Sequence, residues 1–181
     1  NHKFLCLNGG GRQHRKYLLT ELKRHDVLHQ GLWSYLDKFD ITYIPSDYCW
    51  MPIKKGTGDM SLVNMLEYHD KHGNNIEEKH LDVDASNDAW HNRGMTAQHY
   101  QDSYFNITTE TWPADPSFFV TEKIFKPIIN LQPFAICGLP GNLKYLKEKG
   151  YETFPEWFVE DYDSIEGHPQ RMFYLTREII R

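Results

Sequence analysis

Short apolar runs alternate with stretches of helical spacing along this chain, and that alternation limits its fold more than any other feature. Residues 3–8, Lys-Phe-Leu-Cys-Leu-Asn, read as a short buried strand closed by glycines. After Gly9-Gly10-Gly11, the residues Tyr17, Leu18, Leu19, Leu22 and Leu28 recur at helical spacing with Lys and Arg between them. Strand, glycine turn and helix open a βα unit, and Gly31 to Tyr35 reads as a second strand. The pattern returns at residue 96: a short helix over 96–101, a strand over 104–108, a helix over 121–131 and a buried strand over 133–137. Pro127 is expected to kink the third of these or to mark its first turn. Asn142 reads as the N-cap of a helix over 143–149, with Gly150 as its C-cap. A strand over 151–154 and a helix from His168 or Pro169, carrying Met172, Leu175, Ile179 and Ile180, complete the series. Such alternation predicts an α/β domain: a Rossmann-like parallel sheet with helices on both faces. Residues 37–95 break it. Pro45, Pro52, Gly56, Gly58 and Gly73 interrupt them, and only 61–69 has a helical pattern, so they read as a long irregular insertion within a single domain spanning 1–181.

Two constellations fall at the strand ends. Arg12 and Arg15 follow the first strand in the glycine-rich turn, where freed amides and guanidinium forks can cradle a pyrophosphate. The same residues also suit a solvated basic turn. The spacing is neither the dinucleotide fingerprint nor a Walker A loop. Glu110 ends one strand, and Thr121-Glu122-Lys123 starts the next helix. Thr121 suits an N-cap whose neighbouring amides receive an anion, and Lys123 adds charge there. Glu110 and Glu122 repel anions and would face hydroxyls. Alternatively, Glu122 complements the helix dipole and Lys123 with Glu110 forms a plain surface pair. Open α/β sheets bind ligands at this edge, and a ligand with an anionic and a hydroxyl-rich part fits a sugar nucleotide.

Composition narrows the partners. With 181 residues, a net charge of −5 and a pI near 6.0, the chain has no long basic run and no nucleic-acid footprint. No apolar run approaches the roughly 20 residues of a membrane span. Asn1 in place of Met and the lack of a signal peptide suggest a fragment, a processed form or a trimmed form. Cys6, Cys49 and Cys137 match no disulfide or zinc pattern, which points to buried thiols in a reducing, cytoplasmic compartment. His14, His25, His29, His91 and His99 have no partner assignable by spacing. The sequon Asn106-Ile107-Thr108 falls in an expected buried strand and is discounted. Hydrolase, zincin and kinase motifs are absent.

Taken together, the segments Phe4–Asn8 with Arg12–Arg15, Tyr104–Glu110, Val120–Pro127 and Gln132–Ile136 resemble the donor-binding half of a GT-B glycosyltransferase, nearest to the α1,3-fucosyltransferase-like group. Gly150–Phe154 and Tyr162-Asp163 are similar to a tail in uncharacterised glycosyltransferase-like proteins of viruses and bacteria. The likeness covers residues 3–30 and 96–180. It implies one GT-B half-domain that takes a nucleotide-diphosphate sugar as donor and transfers the sugar to a glycan or other hydroxyl, without metal or other cofactor. It further implies that Arg15, then Arg12, and Lys123 hold the diphosphate, that Glu122 meets ribose or sugar, and that Glu110 lines the donor site. The fucosyltransferase Phe-Glu-Asn pattern is here Thr109-Glu110-Thr111, so the donor stays open. A second half, on another domain or a protein partner, would supply acceptor site and base. Asp82, Asp84 and His91 are weak candidates for a base within the insertion. Asp82-Val83-Asp84, with His80 nearby, also resembles the metal-binding Asp-x-Asp of the other glycosyltransferase architecture, which would make transfer manganese-dependent. The alternative is a non-catalytic structural or glycan-binding module of a larger assembly, virion-associated if viral. From sequence, replacing Lys123 or Arg15 by Ala is expected to weaken nucleotide binding and leave the fold intact, as ligand titration and melting would show.

Overall fold

The computed structural model describes residues 1–9, 12–36, 71, 76–79, 81, 96–111 and 120–181. Among the described residues, four parallel strands form one sheet: β1 (His2–Cys6), β2 (Leu32–Trp33), β3 (Ser103–Thr109) and β4 (Phe134–Cys137). Their order is β2-β1-β3-β4. The described helices are α1 (Gln13–Arg24), α2 (Ala97–Gln101), α3 (Glu122–Ile129), α4 (Asn142–Glu148) and α5 (His168–Ile180), with 3-10 turns at Leu28–Gln30 and Glu160–Ser164. This is the Rossmann-like α/β arrangement that the alternating pattern predicts.

A parallel sheet is covered on both faces, so its strands are apolar throughout. Phe4, Leu5 and Cys6 of β1 and all of β4 are buried, as is β3 apart from Tyr104. The chain leaves β1 through α1 towards β2, and leaves β3 through α3 towards β4, in opposite directions. Right-handed crossovers therefore put α1 and α3 on opposite faces. α5 returns to the α1 face, where Met172 meets Cys137 and α5 packs on α1. Core residues from both layers, among them Tyr17, Leu22, Ile124 and Leu175, join one cluster.

Several boundaries differ from the sequence expectation, each for a local reason. Leu28 is not part of α1. The helix stops at Arg24, Asp26 takes φ 58°, and Leu28 opens a 3-10 turn. Pro127 lies inside α3, beyond its first turn, and the helix ends two residues later. Asn142 is not an N-cap. Gly141 holds that position at φ 81°, and Asp163 caps the helix from a distance, accepting from Leu143 N at 3.0 Å and Lys144 N at 3.1 Å. Gly150 has the positive φ, 84°, that a C-terminal glycine provides. Residues 151–154 form no strand. Tyr162 covers the free edge of β4, its hydroxyl accepting from Ile136 N at 3.4 Å, and Glu160 takes Phe154 N at 2.8 Å.

Most of 37–95, including the expected helix over 61–69, lies outside the described residues. Of the part described, Ile76 is buried in the core, Lys79 bridges Tyr35 through both backbone hydrogen bonds, and Lys79 Nζ stands 4.4 Å above the Trp33 ring. That segment thus covers the β2 edge of the sheet.

Gly31 lets the chain pass against β1. A Cβ there would lie 2.2 Å from two carbons of the fully buried Phe4 ring. Gly31→Ala is expected to lower the unfolding free energy by about 1–3 kcal/mol through overpacking, read by urea denaturation. An unchanged midpoint would show that Phe4 has room to move.

Candidate functional site

Because the chain departs from β1 and β3 in opposite directions, their carboxyl ends flank the topological switch point, where open α/β sheets take ligands. The sequence-predicted residues gather there from two sides. The floor between them is a hydrogen-bonded seam that the sequence did not reveal.

Asn8, fully buried just past β1, ties three strand ends together. Its amide nitrogen donates to Ser34 O at 3.2 Å, its backbone N donates to Ser34 Oγ at 3.1 Å, and its Oδ1 accepts from Thr109 Oγ1 at 2.6 Å. A polar residue directly after an apolar strand was the only available signal. Its partners lie 26 and 101 positions away.

On the α1 side, Arg12 is the N-cap residue and is partly exposed, with no side-chain cap and no acidic residue in the first turn. That helix end therefore keeps its positive dipole uncompensated by any carboxylate of its own. Arg15 turns inward. It is 4 % exposed, donates through a terminal nitrogen to Thr109 O at 3.3 Å, and lies near Cys6, Cys137 and Glu110. Burial, then Arg12, lowers its pKa to about 10, so it stays charged at neutral pH. His14 Nε2 donates to Glu110 O at 3.0 Å, which fixes its neutral tautomer. Its ring meets that of His168, at the start of α5, edge to face at 6.1 Å. Burial, then Arg15 and His168, pushes His14 well below the ordinary histidine range, and burial, then Arg171, pushes His168 down to about 3.

On the α3 side, Glu110 is fully buried, and Thr121 engages both of its carboxylate oxygens. Thr121 N donates to Oε1 at 3.1 Å, and Thr121 Oγ1 donates to Oε2 at 2.5 Å. Thr121 is also the N-cap of α3, its Oγ1 accepting from Lys123 N at 3.3 Å. Lys123 Nζ lies 3.4 Å from the same oxygen and 3.0 Å from Glu122 Oε1, with its side chain 22 % exposed. Glu122 is exposed. Burial works against its charge, but the hydrogen bond and charge of Lys123 more than offset this and hold its pKa below the usual value.

Arg15 thus reaches the end of β3 directly, through Thr109 O, whereas Lys123 is linked to it only through Thr121, which bonds the Glu110 carboxylate. Arg12, Thr121, Glu122 and Lys123 have exposed surface there, whereas Arg15 and Glu110 lie inside. The expectation that Arg15→Ala leaves the fold intact does not suit this geometry, since the change strips a buried carbonyl of its charged donor. Asp82, Asp84 and His91 lie outside the described residues. Among the described residues no group of three or more His, Cys, Asp or Glu is placed to hold a metal ion, and no helix is long and apolar enough to cross a membrane. Cys6 and Cys137 are buried free thiols, raised by burial to about 11 and about 12, and Asn106 of the sequon is buried in β3. In comparisons with known proteins, no family model, curated protein or solved structure matches the chain.

The two lowered histidines make stability depend on acid. An unfolded histidine takes its proton near pH 6.5, before the folded one does, so stability is complete above that pH and lost as pH falls towards the folded pKa. For His168 the window runs from about 6.5 down to about 3. His168 is expected to contribute up to about 2 kcal/mol of the loss between about pH 7 and pH 5, and His14 adds to it in the same direction. His168→Asn and His14→Asn should each shrink that loss in urea titrations at the two pH values. Equal losses in wild type and variants would exclude neutral imidazoles at these two positions.

Proposed function

We propose that this domain binds a nucleotide-diphosphate sugar at the β1/β3 crevice, as the donor-binding half of a metal-independent, GT-B-type glycosyltransferase. One observation carries the reading: two helix N-termini with accessible cations, Arg12 on α1 and Lys123 on α3, flank the switch point of a parallel sheet. The amides of the first α1 turn, Arg12 and Lys123 receive the diphosphate, and Arg15 adds a fixed charge from behind. Glu122, exposed beside Lys123, accepts from ribose or sugar hydroxyls. In transfer, the bond from the anomeric carbon to the diphosphate oxygen breaks and a bond to an acceptor hydroxyl oxygen forms. The acceptor proton passes to a base on a second half or protein partner, which also holds the glycan acceptor. The cations stabilise the charge that develops on the leaving diphosphate, the role a divalent ion serves elsewhere.

The inward engagement of Arg15 and Glu110 favours a second reading, a non-catalytic module that keeps the fold and has lost the ligand. Calorimetric and thermal-shift titration with GDP, UDP, CMP and their sugars separates the two. The donor reading expects a diphosphate nucleotide to raise Tm and to bind equally well in EDTA. Lys123→Ala and Arg12→Ala are each expected to weaken that binding about 10–100-fold, the worth of a hydrogen bond to a charged group, with Tm unchanged in the absence of ligand. If none of the nucleotides raises Tm, the module reading replaces it. Loss of binding in EDTA would move the site to a metal-dependent one.

A further inference from the structure

The geometry points to Glu110 as a positioning residue: it holds Lys123 on the crevice through Thr121 and does not itself contact ligand. This rests on the diphosphate reading above. A carboxylate can only accept hydrogen bonds, so the hydroxyl of Thr121 must point its proton at Glu110 Oε2. That orientation turns the lone pairs of Thr121 Oγ1 towards Lys123, whose backbone N and Nζ lie 3.3 Å and 3.4 Å away. Thr121 N, donating to the other carboxylate oxygen at 3.1 Å, holds the start of α3 in the same orientation. Glu110 is anchored in turn by its backbone, with N donating to Cys137 O at 2.9 Å and O accepting from His14 at 3.0 Å. One buried residue therefore joins the N-terminus of α1 to that of α3, and the polarity of the chain from Glu110 through Thr121 to Lys123 is set at the carboxylate.

Glu110→Gln tests this by sign. The amide is isosteric, but its NH2 would donate to Thr121 Oγ1 and occupy a lone pair that Lys123 now uses. If Glu110 acted only as a negative charge beside an anion site, its neutralisation would strengthen anion binding. As a positioning residue it has the opposite effect. Affinity for GDP, UDP and inorganic pyrophosphate is expected to fall about 3–30-fold in Glu110→Gln and in Thr121→Val. Thr121→Ser should restore most of what Thr121→Val loses, and the double variant should be no weaker than the weaker single one. Amide hydrogen exchange supplies a readout without ligand. The Lys123 amide is expected to exchange about 10-fold faster in both variants while α5 amides keep their rates. Tighter pyrophosphate binding by Glu110→Gln, or an unchanged Lys123 exchange rate, overturns the inference. Faster exchange in a protein that binds none of the three anions upholds the positioning role and removes the diphosphate reading.

Discussion

Everything at the carboxyl edge of this sheet depends on the hydrogen bonding of two consecutive residues, Thr109 and Glu110. The carbonyl of Thr109 takes Arg15 and its hydroxyl donates to Asn8. The carbonyl of Glu110 takes His14, and its carboxylate takes Thr121 twice. Through these bonds β3 holds the loop after β1 and the first turns of both α1 and α3. A buried carboxylate is tolerated only when its lone pairs are satisfied and a counter-charge is close. Thr121 meets the first condition, and the nearby Arg15 contributes to the second.

The same arrangement makes the edge electropositive in layers. Arg15 and Arg171 lie inside, each with its pKa lowered by burial. His14 and His168 lie among them as neutral rings, first because burial disfavours their charged form and then because further positive charge there would be repelled. Arg12 and Lys123 reach the surface of the crevice. Under the proposed reading the inner cations would act as a fixed field and the outer two would supply contacts to the diphosphate. An anion entering such a site meets donors that are already oriented, which lowers the reorganisation needed on binding.

Much of this was legible in the chain itself. Short apolar runs such as Phe134–Cys137 and helical spacing such as that of Met172, Leu175 and Ile179 are local signals, fixed by periods of two and 3.6 residues. They are readable without knowing the neighbours. The Arg12-to-Arg15 and Thr121-to-Lys123 segments were legible as strand-to-helix turns for the same reason. What failed was non-local. Asp163 displaced Asn142 as the cap of α4 from some twenty positions away, and Tyr162 closed the β4 edge where a fifth strand was expected.

The sequence alone determined that this protein alternates strand and helix, buries its sheet on two faces, and gathers basic and acidic residues where strands give way to helices. Those properties follow from periodicity and turn chemistry, which neighbouring residues encode. Only the tertiary structure decided which of those residues meet solvent. Arg12 and Arg15 look alike in sequence, as do Glu110 and Glu122. Arg15 is turned inward because the strand order β2-β1-β3-β4 brings Thr109, 94 positions away, within hydrogen-bonding range, and Glu110 because Thr121, 11 positions on, engages its carboxylate. A buried charge must find such a partner in the folded chain or not be charged at all.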